Sequence, residues 1–369
     1  MDRSELTNRF LDLRDRLKKL GVVGSPMKMH RRNITASNLN NHRFHWPRIG
    51  AAIALLMLTC GMASQAWCGE DLWVSFGFGG GIVRYTSKQL TKGGTPTPIS
   101  LSTDSHASGL AFDKSHNLWA VTGNENVVRF TPKQLKDLKK DSSPTPGVII
   151  TAQSAFLFIV GCNFDAKGNL WVVNSQLGTL NEISKAQLNA GSTTHLTPAI
   201  VLTSADLDHP NFVTFDKAGN AWVDSQNSNT LVEFTASQLA AGGSQSANVI
   251  ISDDGSNSSV SEPGEPVFDK NGNLWVPNLD AETVVEFAKS QLTATGNPTP
   301  QVKLTSAIFS EPFGAAFAGN GDLVSVNSND GKIAEFTPNQ LKASGAPVPK
   351  FSVQGADTLN EQIIFGPAS

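Results

Sequence analysis

From about residue 70 onward, short apolar runs alternate with turn-forming residues, and the alternation repeats. "GLAF" at 109–112 is followed by Asp113-Lys-Ser-His-Asn117 and then by "LWAV". Sister copies begin at Phe164 ("FDAKGNLWVV"), Phe215 ("FDKAGNAWVD") and Phe268 ("FDKNGNLWVP"), with a degenerate copy at Phe317 and a truncated one at Glu70. Runs this short and this rich in Val, Leu and aromatics predict strands. The Asp side chain can bond the backbone of its own turn, and Gly supplies a positive φ, so each unit predicts a hairpin. A third strand follows ("NVVRF", "TLNEI", "TLVEF", "TVVEF", "KIAEF"), and a fourth lies beyond a Pro-rich stretch ("PTPGVIIT", "LTPAIVLT", "PTPQVKLT").

Between the third and fourth strands stands another recurring string: "FTPKQL" at 130–135 and "FTPNQL" at 336–341, with four variants between and before them. The Gln-Leu pairs fall at 89–90, 134–135, 187–188, 238–239, 291–292 and 340–341, spaced by 45, 53, 51, 53 and 49 residues. Thr131 or Thr337 as N-cap and Pro132 or Pro338 at the first helical position predict one helical turn. Its Leu is expected to tuck under the strands and its Gln to bond a free strand carbonyl.

Four strands per repeat of about fifty residues exclude a single flat sheet and predict radial repetition, an all-β propeller. The first unit opens on a second strand, "DLWVSF". The first strand it lacks is expected from "QIIF" at 362–365, so that the C-terminal segment completes blade 1 and closes a six-bladed ring over residues 67–369.

Composition agrees: 32 Gly and 19 Pro suit many turns. The formal charge of −3 is unevenly distributed. Residues 1–66 hold 11 Lys/Arg against 4 Asp/Glu, and residues 67–369 hold 18 against 28. An acidic body argues against nucleic acid as a partner. Residues 1–48 form a basic extension, disordered or partly helical, in which "SELTNRFLDLRDRLKKL" has a helical apolar stripe. Residues 49–66 read as the apolar core and cleavage site of an export signal, with Ser64-Gln65-Ala66 at the cut. A secreted or periplasmic monomer is expected, touching a membrane only if that segment stays as an anchor. Cys68 and Cys162 are expected to remain unpaired.

"GLAFDKSHNLWAVTGNENVVRF" and its sisters resemble the repeats of NHL-type propellers. The fold is also similar to that of the SMP-30 (gluconolactonase)-like family. The resemblance spans about residues 69–369 and implies architecture more than chemistry, because the matching residues are those a blade needs to fold. NHL-type propellers mostly bind protein or RNA, whereas SMP-30-like proteins are metal-dependent lactonases and related hydrolases. Two functions are therefore carried forward: a binding scaffold for a polar ligand or protein partner, and a metal-dependent lactonase or esterase.

The Asp turns and Gln-Leu corners share one face. The loops leaving second strands and entering first strands share the other, where variable loops place function. The candidate residues at the mouth of the central channel are Asn211, Glu361, Glu265, Asp224, Asn174, Asn278 and Asn327. Glu361 and Asn211 stand at one level, four residues before Phe365 and Phe215, and would be the first ligands of a divalent cation such as calcium, the cofactor that the resemblance implies. The same level elsewhere carries Ser108, Val160, Gly264 and Phe313. Glu182, Glu233, Glu286 and Glu335 recur in third strands, with Arg84 and Arg129 in their place in blades 1 and 2, and are expected to pair with the turn lysines. No nucleophile elbow, phosphate loop or CxxC pair is present.

Overall fold

The computed structural model describes residues 70–76, 81–103, 105–123, 125–256, 258–355 and 360–368. They belong to one unit, Met62–Ser369. The basic extension, the export segment and Cys68 lie outside the described residues.

Six antiparallel sheets, each of four main strands, form the six blades of a propeller. Blade 2 shows the pattern: Ala107–Phe112 innermost, then Leu118–Thr122, Asn126–Phe130 and, outermost, Val148–Thr151. The ring closes as the sequence predicts. Strand Asn360–Pro367 lies antiparallel to Glu70–Phe76, with Leu72 opposite Phe365 and Val74 opposite Ile363, and so provides the innermost strand of blade 1.

The apolar core is divided among the six seams between blades. At five seams a second-strand Trp meets, edge to face or tilted, the Phe that ends the next blade's inner strand. The pairs are Trp73–Phe112, Trp119–Phe164, Trp171–Phe215, Trp222–Phe268 and Trp275–Phe317, with centroids 5.8–6.4 Å apart. At the sixth, Val324 replaces Trp and packs in one cluster with Phe365. Aromatic pairs of this kind add about 0.5–1.5 kcal/mol each beyond the area they bury.

The Asp turns cap themselves. Asp113 Oδ1 accepts the N–H groups of Ser115 and Asn117 at 2.8 and 2.9 Å, and Oδ2 accepts the Asn117 amide and Trp119 Nε1 at 2.8 and 3.0 Å. The corners do more than the sequence predicts. Gln134 Oε1 accepts the N–H of Thr131 at 2.9 Å while Nε2 donates to the carbonyl of Thr145 at 2.6 Å. The same double bond recurs at Gln89, Gln187, Gln238, Gln291 and Gln340. Only an amide supplies both an acceptor and a donor here, and the neighbouring Leu is buried at every corner. The corners are α-helical in blades 1–4 and 3₁₀ in blades 5 and 6.

A feature without a sequence signal follows each corner. The chain there laps in parallel onto the outer strand of the preceding blade: Gly94 on Val353, Thr193 on Ile150, Gly243 on Leu202, Gly296 on Ile251 and Gly345 on Leu304. At the remaining seam Ser102 N–H donates to the Ser142 carbonyl at 2.7 Å. Hydroxyls finish the edge: Ser192, Thr295 and Ser344 accept from the N–H groups of Ile149, Ile250 and Lys303 at 3.0–3.1 Å. Outer strands, normally open to further pairing, are thereby covered.

The expected pairing of third-strand glutamates with turn lysines is corrected in blade 4, where Lys217 Nζ donates instead to the Lys270 carbonyl of the next blade's turn at 2.6 Å, as Lys114 of blade 2 does to the Ala166 carbonyl at 3.0 Å. In blade 3 the charge of the turn lysine Lys167 does act on Glu182, without a close ion pair. Glu335 does pair, but with outer-strand Lys350 at 2.6 Å.

Candidate functional site

Inner strands converge on the axis so closely that backbone meets backbone. Gly161 N–H donates to the Asn211 carbonyl and Glu265 N–H to the Phe313 carbonyl, both at 2.8 Å. A Cβ at Gly161 or Gly264 would stand 2.3 Å from those carbonyl oxygens, so glycine is required at both. The side chains add a polar belt. Ser108 Oγ donates to the Val160 carbonyl at 2.9 Å, Ser75 Oγ to the Ser108 carbonyl at 2.7 Å, and Gln362 N–H to Ser75 Oγ at 3.0 Å. Gln362 Oε1 accepts from Leu110 N–H at 2.5 Å, and its Nε2 donates to Glu265 Oε1 at 2.8 Å. Phe212 and Phe313 meet edge to face across the axis, centroids 5.1 Å apart, with Val160 buried nearby at the same level.

Two of the predicted residues are carboxyls buried in this belt. Asp224 accepts the N–H groups of Asn211 and Phe212 and, at 3.3 Å, the Asn211 amide. Burial pushes its carboxyl up to about 8 against those bonds. Glu265 accepts from Gln362 and from Ala315 and Ile363 N–H at 3.3 and 3.4 Å; burial, with a smaller contribution from the charge of Asp224, pushes it to about 8 as well. Cys162, buried and free, has its thiol raised by the same burial and by Glu265.

Asn211 joins this group from the mouth, its amide reaching Gln226 Oε1 at 3.0 Å. Asn174, Asn278 and Asn327 go elsewhere. Each ends a second strand and ties down the loop that enters its own blade: Asn174 to the Ala155 carbonyl at 3.0 Å, Asn278 to Ser259 at 3.3 Å, Asn327 to Ile308 at 2.7 Å. Glu361 lies on the blade 1 inner strand, and its side chain is outside the described residues. Among the described residues no three His, Cys, Asp or Glu side chains converge as a metal group. The belt residues Ser75 and Gln362 were not picked out by the sequence, where a lone Ser or Gln in a strand carries no signal; Ser108 and Gln226 were placed on this face but not chosen as candidates.

The entry loops display a second repeated feature. Phe158, His209, Glu262 and Glu311 occupy corresponding positions in blades 3–6 with φ of 60°, 55°, 45° and 52°. Left-handed backbone is uncommon for such residues and costs on the order of 1 kcal/mol each. Carbonyl bonds hold three of them: Ser175 N–H to Phe158 at 3.1 Å, Leu279 N–H to Glu262 at 3.1 Å, and Ser328 N–H to Glu311 at 2.8 Å. All four side chains are exposed on the loop face. In blade 3 the display is apolar, with Leu157 39%, Phe158 40% and Leu177 46% exposed.

No family model matches the chain, and no curated protein matches it. Solved structures share its fold. A protein of unknown function from Bacteroides caccae aligns at TM-score 0.56 and 11% identity over 81% of this chain and 99% of that one. A chain from a nidogen/laminin complex aligns at TM-score 0.56 and 14% identity over 81% and 98%. A protein from Lactobacillus plantarum aligns at TM-score 0.51 and 12% identity over 81% and 99%. At such identities the likeness is one of fold alone.

Proposed function

We propose that this chain is an exported, NHL-like propeller that binds a protein partner on its loop face. The observation that carries the reading is the display there: four exposed side chains held on left-handed backbone, apolar in blade 3, where Leu157, Phe158 and Leu177 are exposed, and acidic at Glu262 and Glu311 of blades 5 and 6. Strained, exposed residues and apolar patches rimmed by polar groups are both features of recognition surfaces. The hydrogen-bonded axis agrees with a rigid frame rather than an open pore. By fold-level analogy, one similar propeller comes from a nidogen/laminin complex.

The second reading, a metal-dependent hydrolase of SMP-30-like type, is favoured by the juxtaposition of Asn211 and Asp224 near the mouth. One experiment separates the two. Full-length protein and a Phe158→Ser/Leu177→Ser variant would be used as crosslinking baits in the medium or periplasmic fraction of the source cells, and each analysed for bound metal by mass spectrometry. The binding reading expects a partner that the variant loses while its melting temperature holds. No difference between the baits, with one tightly held divalent ion lost in Asn211→Ala, would favour the hydrolase.

A further inference from the structure

On the opposite face, the groove between blades is a repeated niche. Each is built from a second-strand residue, usually Trp, the third-strand residue paired with it, the turn beside them, and the corner of the next blade. In three blades the chain fills the niche with its own cation. Arg84 lies over Trp73 at 5.3 Å, stands 3.6 Å from Asp71, and donates to the carbonyl of Leu135 in the next blade's corner at 2.9 Å. Arg129 lies over Trp119 at 5.6 Å. In blade 6, Lys350 bridges Asp322 and Glu335 at 2.7 and 2.6 Å. In blade 4 an amide substitutes for the cation, Asn248 donating to Glu233 at 2.7 Å.

Blades 3 and 5 lack such a bonded occupant: in blade 3 the corresponding residue is Ala199, with the charge of Lys167 acting on Glu182, and in blade 5 the niche opens on a cavity. Trp275 is paired with Glu286 in the strand register, as Trp73 is with Arg84. The residue corresponding to Lys350 and Asn248 is Gln301, which forms no side-chain bond to Glu286. Neither Asp269 nor Glu286 forms an ion pair among the described residues. Glu286 is 4% exposed, and burial together with the charge of Asp269 raises its carboxyl to about 7 against a side-chain hydrogen bond from Asn273. Trp275 is 2% exposed and its Nε1 has no hydrogen-bond partner among the described residues, like that of Trp73 beneath Arg84, whereas Trp119 and Trp171 donate theirs to the turn aspartates of their own blades at 3.0 and 3.3 Å. Instead of a bonded side chain there is a cavity of about 600 Å³, lined by Asp269, Trp275, Glu286 and Leu341, the last being the counterpart of Leu135, and also by Lys270 and Lys342, neither of which pairs with Asp269 or Glu286 among the described residues. That volume is within the usual range of ligand pockets, about 300–1,000 Å³.

We propose that the groove between blades 5 and 6 receives an arginine side chain from a partner polypeptide, its guanidinium entering the cavity that Trp275, Glu286 and Asp269 line. Blades 1 and 2 give the reason for arginine: a planar cation stacks on the Trp and spans the groove to the next corner. The acidic body supplies the matching charge. The site stands apart from the loop face, and neither reading depends on the other.

The test is calorimetric titration of the full chain at low salt and about pH 8, where Glu286 is ionised. The probe is Nα-acetyl-arginine amide, and its neutral isostere Nα-acetyl-citrulline amide is the control. Saturable binding of the arginine probe is expected, with citrulline weaker by about tenfold or more. Glu286→Gln should lose the preference, and Glu233→Gln in the neighbouring groove should keep it. Gln301→Lys places a cation where blade 6 has Lys350 and should abolish binding without lowering the melting temperature, which keeps the test valid if another variant folds poorly. Lys342, at the rim, bonds Asn339 at 2.8 Å, and Lys342→Ala should leave binding unchanged. Equal binding of citrulline, wild-type binding by Glu286→Gln, binding seen only after Lys342→Ala, or no saturable binding would each overturn the proposal.

Discussion

At the scale of single residues, the axis contains two carboxyls whose burial works against their charge. Asp224 and Glu265 are both raised to about 8 in the folded chain, from ordinary values of 3.8 and 4.5. Between those limits the folded state holds protons that the unfolded state has released, so stability falls as pH rises, by up to about 1.4 kcal/mol per pH unit for each group. Melting followed by circular dichroism from pH 5 to 8 should therefore show a declining midpoint, and Asp224→Asn with Glu265→Gln should lessen the decline, the remainder coming from Glu286 and Glu335, which burial raises to about 7 and about 8. A midpoint that climbs over that range would contradict the burial of both groups as neutral acids. The sequence placed these two residues near the channel because their positions follow from the blade pattern. It could not show that Gln362, Ser75 and the backbone of Phe212 would engage them, because those partners come from other blades and share no local spacing.

At the scale of elements, most of the repeat was legible. The hairpin turns, the corners and the strand order all rest on contacts within one blade, and local contacts leave local patterns such as Asp-x-x-Gly-Asn and Thr-Pro-x-Gln-Leu. The parallel laps between blades left none. They involve one or two residues whose only requirement is to reach a neighbour's edge. Thr295→Val probes one of them. It keeps the shape of the side chain and removes the hydroxyl that accepts from Ile250 N–H at 3.1 Å. A loss of about 0.5–1.5 kcal/mol by urea titration is expected, with faster exchange of the Ile250 amide than in the parent. Unchanged exchange there would mean that the lap does not protect the edge. The partner of Glu233 was misjudged because Lys217, in the turn of the same blade, points along the ring toward the next blade's Lys270 carbonyl rather than across the sheet.

At the scale of the whole molecule, closure depends on one strand. Residues 360–367 form the inner strand of blade 1 and contribute Gln362 to the axial belt and Ile363 and Phe365 to the seam between blades 6 and 1. A chain ending at Gly355 should lose its cooperative thermal transition and aggregate on gel filtration, since it would expose Glu70–Phe76 as an unpaired edge. A soluble product with the parent's melting curve would show that the ring holds without that clasp.

The laps give the ring a direction in time. The outer edges of blades 1–5 are finished by segments made after them, from the blade that follows, while blade 6 folds onto a segment already made, Gly94 of blade 1. During synthesis the first five blades therefore wait with an open flank for their successors, and blade 1 also waits for its innermost strand until the rest of the ring has been made. A chain interrupted before residue 360 lacks the strand that seals the ring and keeps an open edge. The last strand to emerge is thus the one that tells the first blade its wait is over.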